Sequence, residues 1–266
     1  MKFQLLNSRR DKIIILIFVI FYVTFGFLAF FFQAKIIYHP NQQDFITCPA
    51  FATSEKLDLN GTRAYFKRNG PNIVIFYHGN AGSACDRGFI ADIFEANSYS
   101  FLFPEYTGYS NDTRKPAHDL LKNDVKNIVE YLKNQKYQEI VVAGESIGAG
   151  LASYHVSLSA PDKVLLISPF SSLLDIAKNR FWFFPVNLIT DNAFINTELL
   201  KNFKKEIFII HGEEDTIIPQ KLGQKLFDSL DNQNKKIIVI PEAGHNDLFN
   251  FSEMEKAIQN FLNPLR

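Results

Sequence analysis

The sequence predicts an α/β protein built on a mainly parallel sheet with helices on both faces. Short runs of apolar, mostly β-branched residues recur along the chain, and segments with helical periodicity lie between most of them. The runs are continuously apolar and do not alternate, which is typical of strands that are buried on both faces. Strands are predicted at residues 73–77, 100–103, 140–143, 164–167, 207–210 and 237–240. In such sheets the functional residues gather at the carboxyl ends of the strands.

Length and charge narrow the possible functions. The chain has 266 residues, of which 47% are hydrophobic, so it can bury one substantial core. Its 28 Lys and Arg residues balance its 28 Asp and Glu residues, and they form no dense basic stripe that could neutralise phosphates. We therefore expect one globular domain, residues 36–266, and no binding of nucleic acid.

The N-terminal segment, residues 1–35, contains a predicted transmembrane anchor. Residues 13–32 carry no charge, and as a helix these 20 residues span about 30 Å, the hydrocarbon thickness of a bilayer. Two alternatives are a cleaved signal peptide and a buried core helix. The signal peptide is disfavoured because the apolar run is longer than usual and no small-x-small cleavage site follows it. The expected partner of this segment is the lipid bilayer.

The charges that flank the anchor predict its orientation. Basic residues before the apolar run are Lys2, Arg9, Arg10 and Lys12, and shortly after it only Lys35 follows. The positive-inside rule then places the N-terminal tail in the cytoplasm and the globular domain on the extracytoplasmic side, which is periplasmic, extracellular or lumenal. That side would permit a disulfide between the two cysteines of the chain, Cys48 and Cys85. The sequence equally allows both cysteines to be unpaired.

Two further elements are predicted in the globular part. A β-hairpin is expected at residues 57–66, because Asn60 and Gly61 favour a tight turn at its centre. A helix is expected at residues 119–133, where apolar residues recur on one side. The hairpin precedes the first strand of the alternation, and the helix lies between the second and third strands.

The strongest chemical signal is the pentapeptide Gly144-Glu145-Ser146-Ile147-Gly148, directly after the strand predicted at residues 140–143. In the G-x-S-x-G pattern the serine ends a strand in a strained turn that exposes its hydroxyl. The two glycines let neighbouring backbone pass without a Cβ clash. The pentapeptide alone also occurs by chance in unrelated chains. Its position behind an apolar strand favours a serine nucleophile.

An acid and a base for this serine follow two later strands. Asp215 lies in the loop after the strand at 207–210, and His245 lies after the strand at 237–240. The order nucleophile, acid, base along the chain is one of the known orders of a Ser-His-Asp triad. In such a triad the imidazole takes the proton of the serine, and the carboxylate orients the ring. Glu213 and Glu214 are neighbouring carboxylates that compete with Asp215 for the role of the acid.

A tetrahedral oxyanion also needs hydrogen-bond donors. The backbone N–H of Ile147, the residue after the serine, is one candidate. The backbone N–H of Asn80 is the other, in the loop His78-Gly79-Asn80-Ala81-Gly82-Ser83 after the first parallel strand. The alternative interpretation of this loop is an ordinary glycine-rich turn between a strand and a helix. His78 and His211 each precede a glycine at a strand end, and both are expected to pack or to orient loops.

The sequence gives no sign of a cofactor. It contains no cluster of His, Cys and Asp at metal-ligand spacing, and no G-x-G-x-x-G motif follows a first strand. We therefore expect neither a metal site nor a nucleotide cofactor.

Together these residues resemble the small, single-span, membrane-anchored α/β-hydrolases, a family that includes eukaryotic protein depalmitoylases and many uncharacterised bacterial proteins. The resemblance covers essentially the whole chain. The matching motifs are Ile37-Tyr38-His39-Pro40, His78-Gly79-Asn80-Ala81-Gly82, Pro104-Glu105-Tyr106-Thr107-Gly108-Tyr109, Gly144-Glu145-Ser146-Ile147-Gly148, Phe184-Pro185-Val186, residues 211–219 and Gly244-His245-Asn246-Asp247. The resemblance implies an α/β-hydrolase fold, a triad of Ser146, Asp215 and His245, and oxyanion donors at Asn80 and Ile147. It is specific for the family and not for a substrate.

The segment at residues 170–203 interrupts the alternation of strands and helices and is expected to form a short cap over the site. Its sequence Phe181-Trp182-Phe183-Phe184-Pro185-Val186 is too aromatic for a plain loop. The cap could bind an acyl chain or contact the bilayer, or its aromatic side chains could simply pack on the core. The candidate residues of a substrate pocket are Tyr106, Phe170, Phe181 and Trp182.

The sequence thus favours an esterase or thioesterase that acts on acyl esters or thioesters through an acyl-enzyme. One alternative is a serine peptidase or amidase, which could use the same triad because the pocket sets the leaving-group preference. Another is a non-catalytic, anchored binding protein. This last function is disfavoured because the nucleophile, the acid, the base and both oxyanion positions are all present.

Overall fold

The computed structural model describes residues 9–188 and 194–263 of the chain. The strands of the described residues are β1 His39–Pro40, β2 Glu55–Leu59, β3 Thr62–Lys67, β4 Asn72–Tyr77, β5 Ala81–Gly82, β6 Tyr99–Glu105, β7 Ile140–Glu145, β8 Lys163–Ile167, β9 Glu206–Gly212 and β10 Lys235–Ile240. The α-helices are α1 Arg9–Ile37, α2 Gly88–Ala96, α3 His118–Lys133, α4 Ile147–Leu158, α5 Leu173–Arg180, α6 Asn196–Leu199, α7 Gln220–Ser229 and α8 Ser252–Leu262. Short 3₁₀ turns lie at Pro49–Phe51, Ala84–Arg87, Val186–Leu188 and Leu248–Asn250.

The centre of the fold is an eight-stranded sheet in the order β10-β9-β8-β7-β4-β6-β3-β2. The strands from β10 to β6 in this order run parallel to one another, whereas β3 is antiparallel to both of its neighbours. The predicted hairpin is β2–β3, and it turns at Asn60 and Gly61, which have φ angles of 53° and 86°. Every predicted strand lies within an observed one. The predicted α/β class with a mainly parallel sheet is therefore confirmed.

Both faces of the sheet are buried, as the continuously apolar runs predict. In β4, Ile73 and Ile75 belong to one hydrophobic cluster and Val74 and Phe76 to the other, and all four are 0% exposed. Helices α3, α4 and α7 contribute to the first cluster, and α2 and α8 contribute to the second. The sheet is thus the middle of three layers.

Helix α1 is long and apolar enough to cross a membrane. Its segment Arg9–Leu28 has a mean hydropathy of 2.2, and only 6% of this segment is buried against the rest of the described chain. Such low burial distinguishes α1 from the apolar core helix of a soluble domain. The predicted apolar run, residues 13–32, lies inside this helix, whereas residues 1–8 of the predicted N-terminal segment lie outside the described residues.

A short strap, defined as residues 38–41, connects α1 to the domain. Strand β1 in the strap pairs in parallel with β5, so residues 39–40 lie beside residues 81–82. The backbone N–H of Asn41 continues this contact by donating to the carbonyl oxygen of Gly82 at 3.3 Å. The chain that leaves the apolar helix is therefore fixed to the loop that follows β4.

The predicted cap, residues 170–203, lies between β8 and β9. It contains α5, a 3₁₀ turn and α6, and its residues 189–193 lie outside the described residues. Within the cap, an antiparallel bridge joins Ser172, just before α5, to Ile195, just before α6.

Cys48 and Cys85 form a disulfide, and their Cα atoms lie 5.9 Å apart. Of the two alternatives that the sequence leaves open, the structure contains the paired one. Cys48 directly precedes the 3₁₀ turn Pro49–Phe51, and Cys85 lies in the turn Ala84–Arg87. It therefore ties the segment beyond the strap to the turn that follows β5.

Candidate active site

Ser146 lies in the sharp turn between β7 and α4. Its backbone has φ 56° and ψ −120°, a strained positive-φ conformation for a residue other than glycine, and its N–H donates to the carbonyl oxygen of Ile167 at 2.9 Å. A Cβ on Gly148 would clash with the backbone of Tyr77, and one on Gly144 would clash with the backbone of Gly148. The two glycines thus allow α4 to start directly against the sheet, as the G-x-S-x-G pattern predicts.

The structure brings the predicted nucleophile, base and acid into one hydrogen-bonded row. The Nε2 atom of His245 lies 3.1 Å from the Oγ atom of Ser146, and its Nδ1 atom lies 2.6 Å from the Oδ2 atom of Asp215. Ser146 is 8% exposed and Asp215 is 5% exposed. The competing carboxylates Glu213 and Glu214 are both exposed on the same loop. The arrangement can pass the proton of the serine hydroxyl to an imidazole whose other nitrogen donates to a carboxylate.

The carboxylate of Asp215 is held by several donors. Its Oδ1 atom accepts from the backbone N–H groups of Ile217 and Ile218 at 3.0 Å and 2.7 Å. Burial alone raises the pKa of Asp215, but hydrogen bonds from His211 and His245 outweigh it and hold the pKa well below its ordinary value. The group is therefore an ionised acceptor throughout the neutral range.

His211 contacts both the side chain and the loop of the predicted acid, Asp215. Its Nε2 atom lies 2.8 Å from the carbonyl oxygen of Ile218 and 3.3 Å from the Oδ2 atom of Asp215. Its Nδ1 atom is buried without a hydrogen-bond partner among the described residues. A Cβ on Gly223 would clash with this ring. The sequence suggests a loop-orienting role for His211 from its place at a strand end, but it contains no signal for the packing on Gly223.

The loop with the predicted oxyanion donor is fixed through the side chain of Asn80. The Oδ1 atom of Asn80 accepts from the hydroxyl of Tyr109 at 3.0 Å and from the backbone N–H of His39, in the strap, at 3.3 Å. The other predicted donor, Ile147, is the first residue of α4 and is 5% exposed. Both predicted donors therefore lie at the carboxyl ends of adjacent parallel strands, β4 and β7.

A partly buried ion pair contacts this loop. The guanidinium of Arg87 binds both carboxylate oxygens of Glu145 at 2.6 Å and 2.8 Å. A Cβ on Gly79 would lie 2.9 Å from the same carboxylate, so the loop backbone rests on the pair. Burial alone lowers the pKa of Arg87, but the hydrogen bond and charge of Glu145 raise it overall. Such a bidentate contact gives the ion pair a fixed geometry.

Of the four predicted pocket residues, two lie in the core. Tyr106 is 1% exposed, its ring stacks on His78 at 3.9 Å, and its hydroxyl donates to the carbonyl oxygen of His78 at 2.6 Å. Burial raises its pKa well above the ordinary value for tyrosine, so it remains a donor. Phe170 is 0% exposed. Trp182, in contrast, is 83% exposed at the tip of the cap, and Phe181 beside it is half-buried. The four candidates therefore range from fully buried to almost fully exposed.

The base of the cap lies next to the serine. Phe194 packs on the first turn of α4, where a Cβ on Gly150 would lie 2.8 Å from its ring. Among residues 9–188 and 194–263, no group of three or more His, Cys, Asp or Glu side chains is arranged to hold a metal ion.

Comparisons with known proteins agree with this fold. An uncharacterised protein of Mycobacterium tuberculosis is 28% identical over 199 residues, which cover 73% of this chain and 70% of that protein. The lysophosphatidylserine lipase ABHD12 of Bos taurus is 25% identical over 221 residues, which cover 71% of this chain but only 55% of the lipase. No protein-family model matches the chain.

Among solved structures, an esterase of Pyrococcus furiosus superposes with a TM-score of 0.67 at 19% identity, covering 85% of this chain and 97% of the esterase. At this identity the likeness shows the fold. The observed sheet and the solved structures together show an α/β-hydrolase fold, and the chain is similar in sequence to the ABHD12 lipases over 71% of its length.

Proposed function

We propose that the protein is a membrane-anchored serine hydrolase that cleaves carboxylic esters or thioesters through an acyl-enzyme on Ser146. The observation that carries this proposal is the row of Ser146, His245 and Asp215, with heavy-atom separations of 3.1 Å and 2.6 Å. The separations are within hydrogen-bond reach, as an activated nucleophile requires. The names of the relatives, a lipase and an esterase, support ester hydrolysis.

The proposed reaction begins with attack of the Ser146 hydroxyl on the carbonyl carbon of the substrate. The Nε2 atom of His245 accepts the hydroxyl proton, and Asp215 stabilises the imidazolium that forms. The backbone N–H groups of Asn80 and Ile147 would bind the oxyanion of the tetrahedral intermediate. The imidazolium then protonates the leaving alcohol or thiol. A water molecule, activated by the same imidazole, releases the acid from the serine.

The same proposal assigns residues 1–35 to a cytoplasmic tail and a transmembrane anchor, and residues 36–266 to an extracytoplasmic hydrolase domain. The low burial and high hydropathy of α1 support the anchor. The excess of basic residues before the apolar run supports the orientation. The disulfide between Cys48 and Cys85 also supports it, since disulfides persist mainly outside the cytoplasm.

A matched pair of serine variants tests the proposed chemistry. Ser168 follows β8 as Ser146 follows β7, has a φ angle of 45°, and is 1% exposed, so it is a second buried serine with a strained backbone at a strand end. We expect Ser146→Ala to lose hydrolysis of 4-nitrophenyl esters except for a small residual rate. Ser168→Ala should retain it. Hydrolysis at the wild-type rate in folded Ser146→Ala would disprove the proposal.

A further inference from the structure

The tip of the cap, residues 181–184, packs against the middle of the apolar helix α1. The ring of Phe184 lies 4.6 Å from that of Tyr22 and 5.7 Å from that of Phe25. The hydroxyl of Tyr22 donates to the carbonyl oxygen of Phe183 at 3.2 Å. Gly26 makes room for this contact, because a Cβ there would lie 2.5 Å from the Phe184 ring. Phe184 itself is only 9% exposed.

This contact fixes the depth of the cap relative to the proposed anchor. Residues 22–26 lie inside the uncharged run 13–32. At about 1.5 Å per residue they are about 9 to 15 Å along the helix from Phe32, the end of the run nearest the domain. With residues 13–32 across the hydrocarbon, the chain around Phe184 lies below the surface of the leaflet on the domain's side.

The composition of the exposed tip matches that depth. Trp182 and Phe183 are 83% and 56% exposed, which is unfavourable for large apolar side chains in water. The exposed residues Lys178 and Arg180 come just before them, in the last turn of α5. Aromatic side chains that follow basic ones are typical of segments that enter a membrane interface, where cations meet lipid phosphates.

With residues 13–32 across the hydrocarbon, the proposed oxyanion loop also lies near the membrane surface. Helix α1 ends at Ile37, about 7 Å beyond Phe32 along its axis. Residues 39–40 then pair directly with residues 81–82 of this loop. The loop is therefore held at the level of the lipid headgroups, where the ester bonds of membrane amphiphiles lie.

We propose that the cap tip, residues 181–184, is immersed in the leaflet on the domain's side, and that the substrate is an acyl ester of a membrane amphiphile that enters from that leaflet. Its acyl chain would stay beside the cap tip while its ester bond reaches Ser146 at headgroup level. The immersion rests on the proposed anchor, and the substrate class rests on the proposed hydrolase activity.

The immersion can be measured without mutation, because Trp182 is the only tryptophan of the chain. The full-length protein in phosphatidylcholine vesicles should show tryptophan emission that is quenched several-fold more by lipids with brominated acyl chains than by iodide in the buffer. Phe184→Ala removes the contact with α1 and should shift the quenching towards iodide. Trp182→Phe should abolish the signal and so verifies its source.

The outcomes separate the two claims. If the protein resists alkaline extraction from the vesicles but Trp182 is quenched mainly by iodide, the cap is not immersed and the inference is wrong. If the protein is extracted, the anchor itself is disproved and the inference fails with it. If Trp182 is quenched by brominated lipid but the protein hydrolyses no ester, the cap tip is immersed and the proposed hydrolase activity is wrong.

The substrate class needs its own comparison. Trp182→Ser combined with Phe183→Ser should lower hydrolysis of 4-nitrophenyl palmitate dissolved in the vesicles by about 10-fold or more relative to hydrolysis of 4-nitrophenyl butyrate in the buffer, because two aromatic side chains no longer hold the cap tip in the leaflet. Because the butyrate ester in the buffer reaches the active site without an immersed cap tip, its hydrolysis is the reference for this comparison. Equal loss on both esters would indicate a general defect and contradict entry from the leaflet.

Discussion

Asp215 is the carboxylate on which the proposed chemistry depends most specifically. It accepts from His245 at 2.6 Å and from two backbone N–H groups, whereas Glu213 and Glu214 are exposed. Asp215→Asn should lower kcat by a factor on the order of 10⁴, because an amide no longer stabilises the imidazolium or holds the correct tautomer. Glu213→Gln and Glu214→Gln are the matched controls and should leave kcat nearly unchanged. A comparable loss of kcat in one of these glutamate variants would instead identify that glutamate as the acid.

His155 is a buried residue whose effect should appear in stability and not in catalysis. It is 1% exposed, and its Nδ1 atom lies 2.7 Å from the hydroxyl of Tyr77. Burial lowers the pKa of His155 to about 3, whereas an imidazole in an unfolded chain has a pKa of about 6.5. Between these values the unfolded state binds one more proton than the folded state. The contribution of neutral, buried His155 to the free energy of unfolding is therefore complete above about pH 6.5, and it is lost as the pH falls below that value.

This difference in pKa predicts that the free energy of unfolding rises with pH, and that one substitution removes this rise. Over the acid range the free energy of unfolding of the wild type should include a term that rises by up to about 1.4 kcal/mol per pH unit. In His155→Gln, which keeps a hydrogen-bonding partner for Tyr77, that term should be absent. Urea unfolding of the detergent-solubilised protein at a series of pH values measures it. Parallel curves for the two proteins between about pH 4 and 6.5 would show that His155 is not buried in its neutral form.

At the scale of elements, the strap that follows α1 links the proposed anchor to the proposed oxyanion loop. Its β1 pairs with β5, and the N–H of His39 donates to the side chain of Asn80 at 3.3 Å. A protein lacking residues 1–35 keeps these contacts and should be a soluble, active hydrolase. Deletion of residues 1–41 removes them and should lower kcat on a soluble ester by up to about 10²-fold, because the donor is no longer held in place.

The two truncations must be compared at equal folded fraction, which circular dichroism and thermal unfolding establish. Loss of activity in the folded shorter deletion would mean that α1 contributes to the chemistry and not only to location. Full activity in the longer deletion would show instead that the loop holds its geometry without the strap.

The elements that the sequence predicts well are those with a local cause. Continuously apolar runs give the strands of the parallel sheet, Asn60 and Gly61 give the hairpin turn, and the glycines around Ser146 give the turn into α4. These features depend on the periodicity and backbone freedom of neighbouring residues, which the sequence displays directly.

The features that the sequence does not predict are contacts between distant segments. The space that Gly223 leaves for His211, the pairing of the strap with residues 81–82, and the packing of Phe184 on α1 each join elements far apart in the chain. The pocket prediction meets the same limit, since Tyr106 is drawn into the core by stacking on His78. Aromatic composition alone does not distinguish a pocket wall from core packing.

At the scale of the whole molecule, the proposed topology places the domain outside the cytoplasm. Protease added to right-side-out membrane vesicles should digest residues 36–266 down to a fragment that contains the anchor. The same protease added to inverted vesicles should leave the domain intact until detergent is added, because the bilayer then lies between them. Protection of the domain in right-side-out vesicles and its digestion in inverted ones would show that the domain lies on the cytoplasmic side.

The central claim is that Ser146 is a nucleophile activated by His245. An alkyl fluorophosphonate, which reacts with such serines, tests it most directly when the modified peptide is identified by mass spectrometry. We predict a covalent adduct on Ser146 in the wild type, a far slower one in His245→Ala because the base is lost, and none in Ser146→Ala. An adduct at another residue, or labelling of Ser146→Ala at the wild-type rate, would contradict the account.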